Sequence, residues 1–207
     1  MRRAAGVLGL GLLVGVLPAC AADDPTLAPP PSAGASPSLV GPAAPDVALP
    51  AGALRDRVPA PADVPLGLVP LLQGSGPRTA EEVAAFSADP QAAAADLRAR
   101  GFTDAYAAQY AAPGTAQSLT VVVVRFADEQ GAAADLAADA ASAAGDPVDA
   151  EVGDASDVRR LALEEPPGTE LVTVRTRRGA LTWLVAWRAP APADAEVPLQ
   201  VARTLTG

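Results

Sequence analysis

From residue 79 onward, the apolar positions switch repeatedly between a period near two and a period near four. These periods mark strands and helices respectively. The run Leu119-Thr120-Val121-Val122-Val123-Val124-Arg125-Phe126 is apolar at almost every position. It predicts a central strand covered on both faces. Residues 171–177 and 180–188 also read as strands, joined by a turn at Arg178-Gly179. In the second of them Trp183, Val185 and Trp187 share one face. Residues 158–164 alternate more weakly and read as a further strand. Residues 102–110 fit both periods: Phe102, Tyr106 and Tyr110 are four apart, while Tyr106, Ala108 and Tyr110 are two apart. Pro113-Gly114, just before the valine strand, favours a hairpin and hence a strand over 105–110.

Helix signals fall between these strands. Thr79-Ala80-Glu81-Glu82 has capping-box form and opens a short helix to Phe86. Asp89-Pro90 restarts a helix that runs to Arg100 and stops at Gly101. Asp128 caps a helix of about 129–144, closed by Gly145. Its small residues Ala132, Ala133, Leu136, Ala137 and Ala140 predict a face that approaches the sheet closely. Asp194 and Pro198 open a last helix over 194–205. The fold class is therefore α+β, an antiparallel sheet with helices packed mainly on one face. Each half reads strand, strand, helix; a ββα pseudo-repeat and a merely shared supersecondary order account for this equally well.

The first 78 residues follow different rules. Residues 64–78 hold Val64, Leu66, Leu68, Val69, Leu71 and Leu72 between prolines and glycines. They predict an irregular segment or edge strand whose apolar side chains pack on the core, with the prolines excluding a central position. Residues 20–62 are rich in Pro, Ala and Ser without apolar periodicity, which predicts a disordered linker. About 40 such residues at 3.1 Å each reach at most roughly 120 Å. Ahead of them, Arg2 and Arg3 precede a small and apolar run, 4–16, then Leu17-Pro18-Ala19-Cys20. Charged, apolar and small-residue regions in that order make 1–19 a secretion signal. The folded domain is expected over 63–207.

Composition narrows the chemistry. The formal charge is −9, and without Arg2 and Arg3 the mature chain is near −11. Such a chain is repelled by phosphate backbones, so nucleic acid is not expected as a partner, and by anionic lipid headgroups. The sequence has no histidine and no lysine. That excludes Ser-His-Asp, Cys-His, Ser-Lys and Schiff-base catalysis. The lone cysteine excludes an intrachain disulfide, and with no histidine it leaves no zinc site of the usual kinds. The adjacent acids Asp23-Asp24, Glu81-Glu82 and Glu164-Glu165 point in different directions and do not form a facing carboxylate pair. Asp146, Asp149, Glu151, Asp154 and Asp157 lack calcium-loop spacing and read as an acidic surface loop. No catalytic residue, metal or cofactor is expected, so the chain is read as a non-enzyme.

Two candidate sites remain. Leu17-Pro18-Ala19-Cys20 resembles the lipobox of bacterial lipoproteins. That resemblance implies cleavage before Cys20, acyl chains such as palmitate on that cysteine, and a mature protein on the outer face of the cell membrane. One acyl chain holds a protein only marginally, and two or three hold it durably. The plainer alternative is a leftover thiol in an ordinary signal peptide. The second site is aromatic: Tyr106, Tyr110, Trp183 and Trp187, with polar tips on apolar bodies, fall on neighbouring sheet elements and suit a half-exposed ligand pocket. The plainer alternative is that Trp183 and Trp187 are core under the helices and that Tyr106 and Tyr110 cap the sheet edge.

Residues 64–207 also resemble small α+β domains in lipoproteins of high-GC Gram-positive bacteria. They are similar to the extracellular sensor domain of a mycobacterial serine/threonine kinase. The likeness rests on Asp96-Leu97-Arg98-Ala99-Arg100-Gly101-Phe102, the 119–126 strand with its helix, and the paired strands near Trp183. It implies structure and carries over no catalytic motif. The expected function is a lipid-anchored binding or sensory module for an apolar small ligand or an envelope protein. The alternative is an accessory interaction lipoprotein without a small ligand.

Overall fold

The computed structural model describes residues 53–207. The expected signal over 1–19, Cys20 and the linker as far as residue 52 lie outside the described residues.

Eight strands form one antiparallel sheet: β1 (Val69–Pro70), β2 (Gly76–Arg78), β3 (Phe102–Ala111), β4 (Ser118–Phe126), β5 (Asp146–Pro147), β6 (Ala155–Leu163), β7 (Thr169–Arg178) and β8 (Leu181–Pro190). The order is β1-β3-β4-β8-β7-β6-β5, with β2 beside β3 as well. Two hairpins, β3–β4 and β7–β8, meet at the β4–β8 pairing, where Val121 lies opposite Val185. Short strands flank the outer long ones, β1 and β2 along β3 and β5 along β6. The ambiguous stretch after Gly101 is a strand because β4 offers it nine paired positions. Its tyrosines follow period two.

Four α-helices cover the sheet: α1 (Ala80–Ala84), α2 (Pro90–Ala99), α3 (Glu129–Ser142) and α4 (Glu196–Thr206). Their starts are set by side chains that accept from free amides. Thr79 and Glu82 form the expected capping box, Asp89 accepts from Ala92 N, and Asp128 accepts from Gly131 N. Asp194 accepts from Glu196 N at 2.9 Å, so the last helix starts two residues later than expected. Gly101, at φ +85°, ends α2 and turns the chain into β3. Gly131 lets the first turn of α3 press on α2, since a Cβ there would sit 2.1 Å from the Arg100 carbonyl oxygen.

The two sheet faces differ. On one, Leu119, Val121, Val123, Val172, Val174, Trp183, Val185 and Trp187 form a buried cluster with Leu199, Val201 and Ala202 of α4. On the other, Ala105, Val124 and Phe126 pack with alanines of α1 and α2 and with Ala132 of α3. Three helices therefore share one face and α4 lies on the opposite one. The order β3-β4-α3 is repeated by β7-β8-α4, but the two helices fall on opposite faces. The repetition is one of order and not of packing, because a two-fold axis normal to the sheet would leave both helices on the same side.

Three expectations change. Packing starts ahead of residue 63: a 3-10 turn, Leu54–Arg57, places Leu54 in the apolar cluster. Of the apolar residues in 64–78, Val64 and Leu68 are buried, but Leu66, Val69, Leu71 and Leu72 are exposed. β1 spans two residues at the sheet edge, so most of this segment has no neighbour to pack against. In α3 the inward residues are Gly131, Ala132, Asp135 and Leu136, while Ala133 and Ala137 face solvent. The helix is rotated to bring Asp135 inward, for reasons its partners supply.

Candidate functional site

Alternation along β3 and β8 puts Tyr106, Tyr110, Trp183 and Trp187 on the same face of the sheet. Tyr106 and Trp183 both flank Val123, and Tyr110 and Trp187 both flank Leu119. Each tyrosine is thus separated from a tryptophan by one strand. Tyr110, Trp183 and Trp187 are buried, and Tyr106 is half-buried against the same cluster.

Their polar tips point to different partners. Tyr110 Oη donates to the carbonyl of Pro59 at 2.5 Å, and Trp183 Nε1 donates to the carbonyl of Arg57 at 2.9 Å. Trp187 Nε1 is buried with no hydrogen-bond partner among the described residues. Burial pushes the Tyr110 phenol above its ordinary value of 10.0, and nearby Tyr106 and Asp63 push the same way. Tyr110 is therefore a donor at physiological pH. Both acceptors belong to residues 53–68, a strap that crosses the β3–β4 half of the apolar face. Its Leu54, Val64 and Leu68 are buried in the same cluster as Tyr110 and Trp183.

A polar seam lies across the opposite face, under α3. Asp135 is 7% exposed; its Oδ1 meets Arg100 Nη1 at 3.3 Å and its Oδ2 accepts from Thr182 Oγ1 at 3.3 Å. One turn on, Asp139 faces Arg175 Nε at 3.6 Å. Arg175 also faces Asp157, which accepts from Arg159 Nε at 2.8 Å. Burial raises the Asp135 carboxyl from 3.8 to about 6; Asp139 adds to this, while Arg100 and Thr182 oppose it. Asp139, whose side chain is half exposed, is raised too, first by the desolvation of its position beside the sheet and then by Asp157, against Arg175 and Arg100. Sequence reasoning missed this cluster. Its signal was present: Thr173, Arg175 and Arg177 alternate with Val172, Val174 and Thr176 on β7, and Asp135 and Asp139 are one helical turn apart.

The acidic loop carries two shallow surface recesses. One, of about 380 Å³, is lined by Pro147, Val148, Asp149, Ala150, Ser156, Asp157 and Val158. The other, of about 440 Å³, includes Glu151, Asp154, Arg178 and Arg203. None of the four aromatic residues lines either recess. Asp154 accepts from Gly179 N and faces Arg177, so this carboxylate is drawn into an internal pair. Among the described residues, no three or more His, Cys, Asp or Glu side chains are grouped to hold a metal ion. No described helix is long and apolar enough to cross a membrane.

No protein-family model matches this chain, and no curated protein matches it. Among solved structures, it is similar to the extracellular domain of PknH from Mycobacterium tuberculosis. The two share 11% sequence identity and superpose with a TM-score of 0.52, over 73% of this chain and 93% of that one. The chains share a fold. At this identity the likeness assigns no ligand and no residue role.

Proposed function

We propose that this chain is a lipid-anchored, non-catalytic binding or sensory module on the outer face of the cell membrane. Acyl chains on Cys20 hold it there, and residues 21–52 tether the folded body. The observation that carries this reading is the conjunction of Leu17-Pro18-Ala19-Cys20 with a body that shares the fold of the extracellular domain of PknH. The acidic charge favours a body held off an anionic membrane surface. Its ligand is apolar, because the donors and wide rings of the aromatic face suit an uncharged molecule.

Intact mass spectrometry of the detergent-extracted protein tests the anchor. The expected mass begins at Cys20 and carries acyl chains, and radiolabelled palmitate enters the wild type but not Cys20→Ser. An unacylated chain, or one recovered from the cytosol, would sink the proposal. A second reading, an accessory lipoprotein that binds only another envelope protein, is favoured by the exposed Leu66, Leu71 and Leu72. Isolated exposed leucines are common, but three within seven residues at a sheet edge suit a protein contact. Crosslinking in intact cells would give one stable partner under that reading.

A further inference from the structure

Two covers close the apolar face of the sheet, and they are built differently. α4 covers β7 and β8 as a regular helix. The strap, 53–68, covers β3 and β4 and is irregular apart from the turn Leu54–Arg57. Among the described residues, its backbone hydrogen bonds close local turns only: Asp56 N to Ala53 O, Asp63 N to Ala60 O and Leu68 N to Pro65 O. It is held on the sheet by the buried side chains of Leu54, Val64 and Leu68 and by two carbonyls, those of Arg57 and Pro59. An element with so few ladder bonds opens at lower free energy than the strands beneath it.

What lies under the strap has a consistent chemistry. Tyr110 Oη and Trp183 Nε1 are donors already matched to carbonyls, and Trp187 Nε1, beside them on the same face of the sheet, is a third donor with no acceptor among the described residues. The surrounding side chains, Ala108, Leu119, Val121, Val123 and Val185, are apolar and buried. A molecule that replaced the strap would have to be apolar, uncharged and equipped with carbonyl acceptors. An acyl ester meets all three conditions.

We infer that the strap is a displaceable occupant of a ligand groove, and that the groove takes a neutral acyl-ester lipid whose carbonyls replace those of Arg57 and Pro59. This rests on the lipid-anchored reading above in one respect. A body anchored at a bilayer by acyl chains meets neutral acyl-ester lipids at high local concentration. That proximity favours a membrane lipid over a free peptide as the occupant.

The test uses the full chain carrying Cys20→Ser, purified without detergent, so that added lipid is the only lipid present. Hydrogen exchange of residues 54–68 is followed with 1,2-dioctanoylglycerol, with octanoate, and with a synthetic peptide of residues 53–70. Dioctanoylglycerol should speed exchange in the strap by about tenfold and leave the amides of β4 and β8 unchanged. Leu54→Ala loosens the strap without touching the three donors, and should tighten dioctanoylglycerol binding by about tenfold, because the internal competitor is weakened. Strap exchange unmoved by dioctanoylglycerol overturns the inference, as does equal displacement by octanoate. Displacement by the peptide alone would make the groove a peptide site and overturn it too. Acylation plays no part in this readout, so failure here is separable from failure of palmitate to enter the wild type.

Discussion

The two faces of the sheet carry the same strands and are packed differently: one is mainly apolar, while the other joins a smaller apolar cluster under α1 and α2 to a polar seam under α3. On one, Leu119, Val121, Val172, Val174 and Val185 are fully buried against α4 and the strap. On the other, α3 rests over β7 and β8 on Asp135, Asp139, Arg100, Arg175 and Thr182. Apolar burial contributes about 25 cal/mol per Å² and does not depend on pH. A buried ion pair gains Coulomb energy but loses hydration, so its net contribution is small while its geometry is demanding. The apolar face supplies cohesion. The seam sets the rotation and position of α3, and it makes that position sensitive to protons.

The comparison can be broken first at the apolar face. Leu119→Ala removes a side chain with no exposed surface and leaves a cavity, costing about 2–5 kcal/mol in urea unfolding. That cost should be the same at pH 5 and pH 8, and a strongly pH-dependent loss would contradict the division drawn here.

Asp135→Asn tests the seam. Burial holds the folded carboxyl at about 6, against an ordinary value of 3.8. Between those values the folded chain binds a proton that the unfolded chain has released, so wild-type stability falls as pH rises through this window. Below the window both states are protonated and the penalty vanishes. Asparagine cannot ionise, so the variant gains on the wild type between pH 4 and pH 7 by on the order of 2–3 kcal/mol. Thermal unfolding at the two pH values measures it, and parallel pH profiles would show that Asp135 does not titrate with folding.

Arg100→Met removes the cation closest to Asp135. Its cost should be about 2 kcal/mol at pH 8, where the carboxylate is charged and left unpaired. At pH 4 the loss should shrink, because the protonated acid needs no counter-charge. The smallest expected effect is Thr182→Val, which keeps the shape and deletes one donor to Asp135, at about 1 kcal/mol. Were it to match Leu119→Ala, the seam would be contributing cohesion rather than orientation.

Much of this architecture is legible from residue order. The capping residues Thr79, Asp89 and Asp128 and the stop at Gly101 act locally, and the helices begin and end where these residues direct. The shared face of Trp183, Val185 and Trp187 follows from alternation alone. The candidate site was legible in part. The four aromatic residues do fall on one face, yet nothing local in the Pro- and Ala-rich stretch distinguishes 53–62 from the residues before it. Arg57 and Pro59 are acceptors through their backbone, and backbone carbonyls leave no mark on a sequence. Similarly, Leu66 and Leu72 look like core by hydropathy, and only the short edge strand reveals that nothing covers them.

By itself, the sequence determined the α+β elements, the strand faces, the acidic charge and the absence of histidine and lysine chemistry, because each depends on residue identity and near neighbours. Only the tertiary structure decided that α3 and α4 lie on opposite faces, that Asp135 turns inward toward Arg100, and that the strap closes over Tyr110 and Trp183. Those outcomes depend on contacts between residues tens of positions apart, such as Trp183 with Arg57 and Tyr110 with Pro59. A local pattern holds no information about which distant backbone will meet a given side chain.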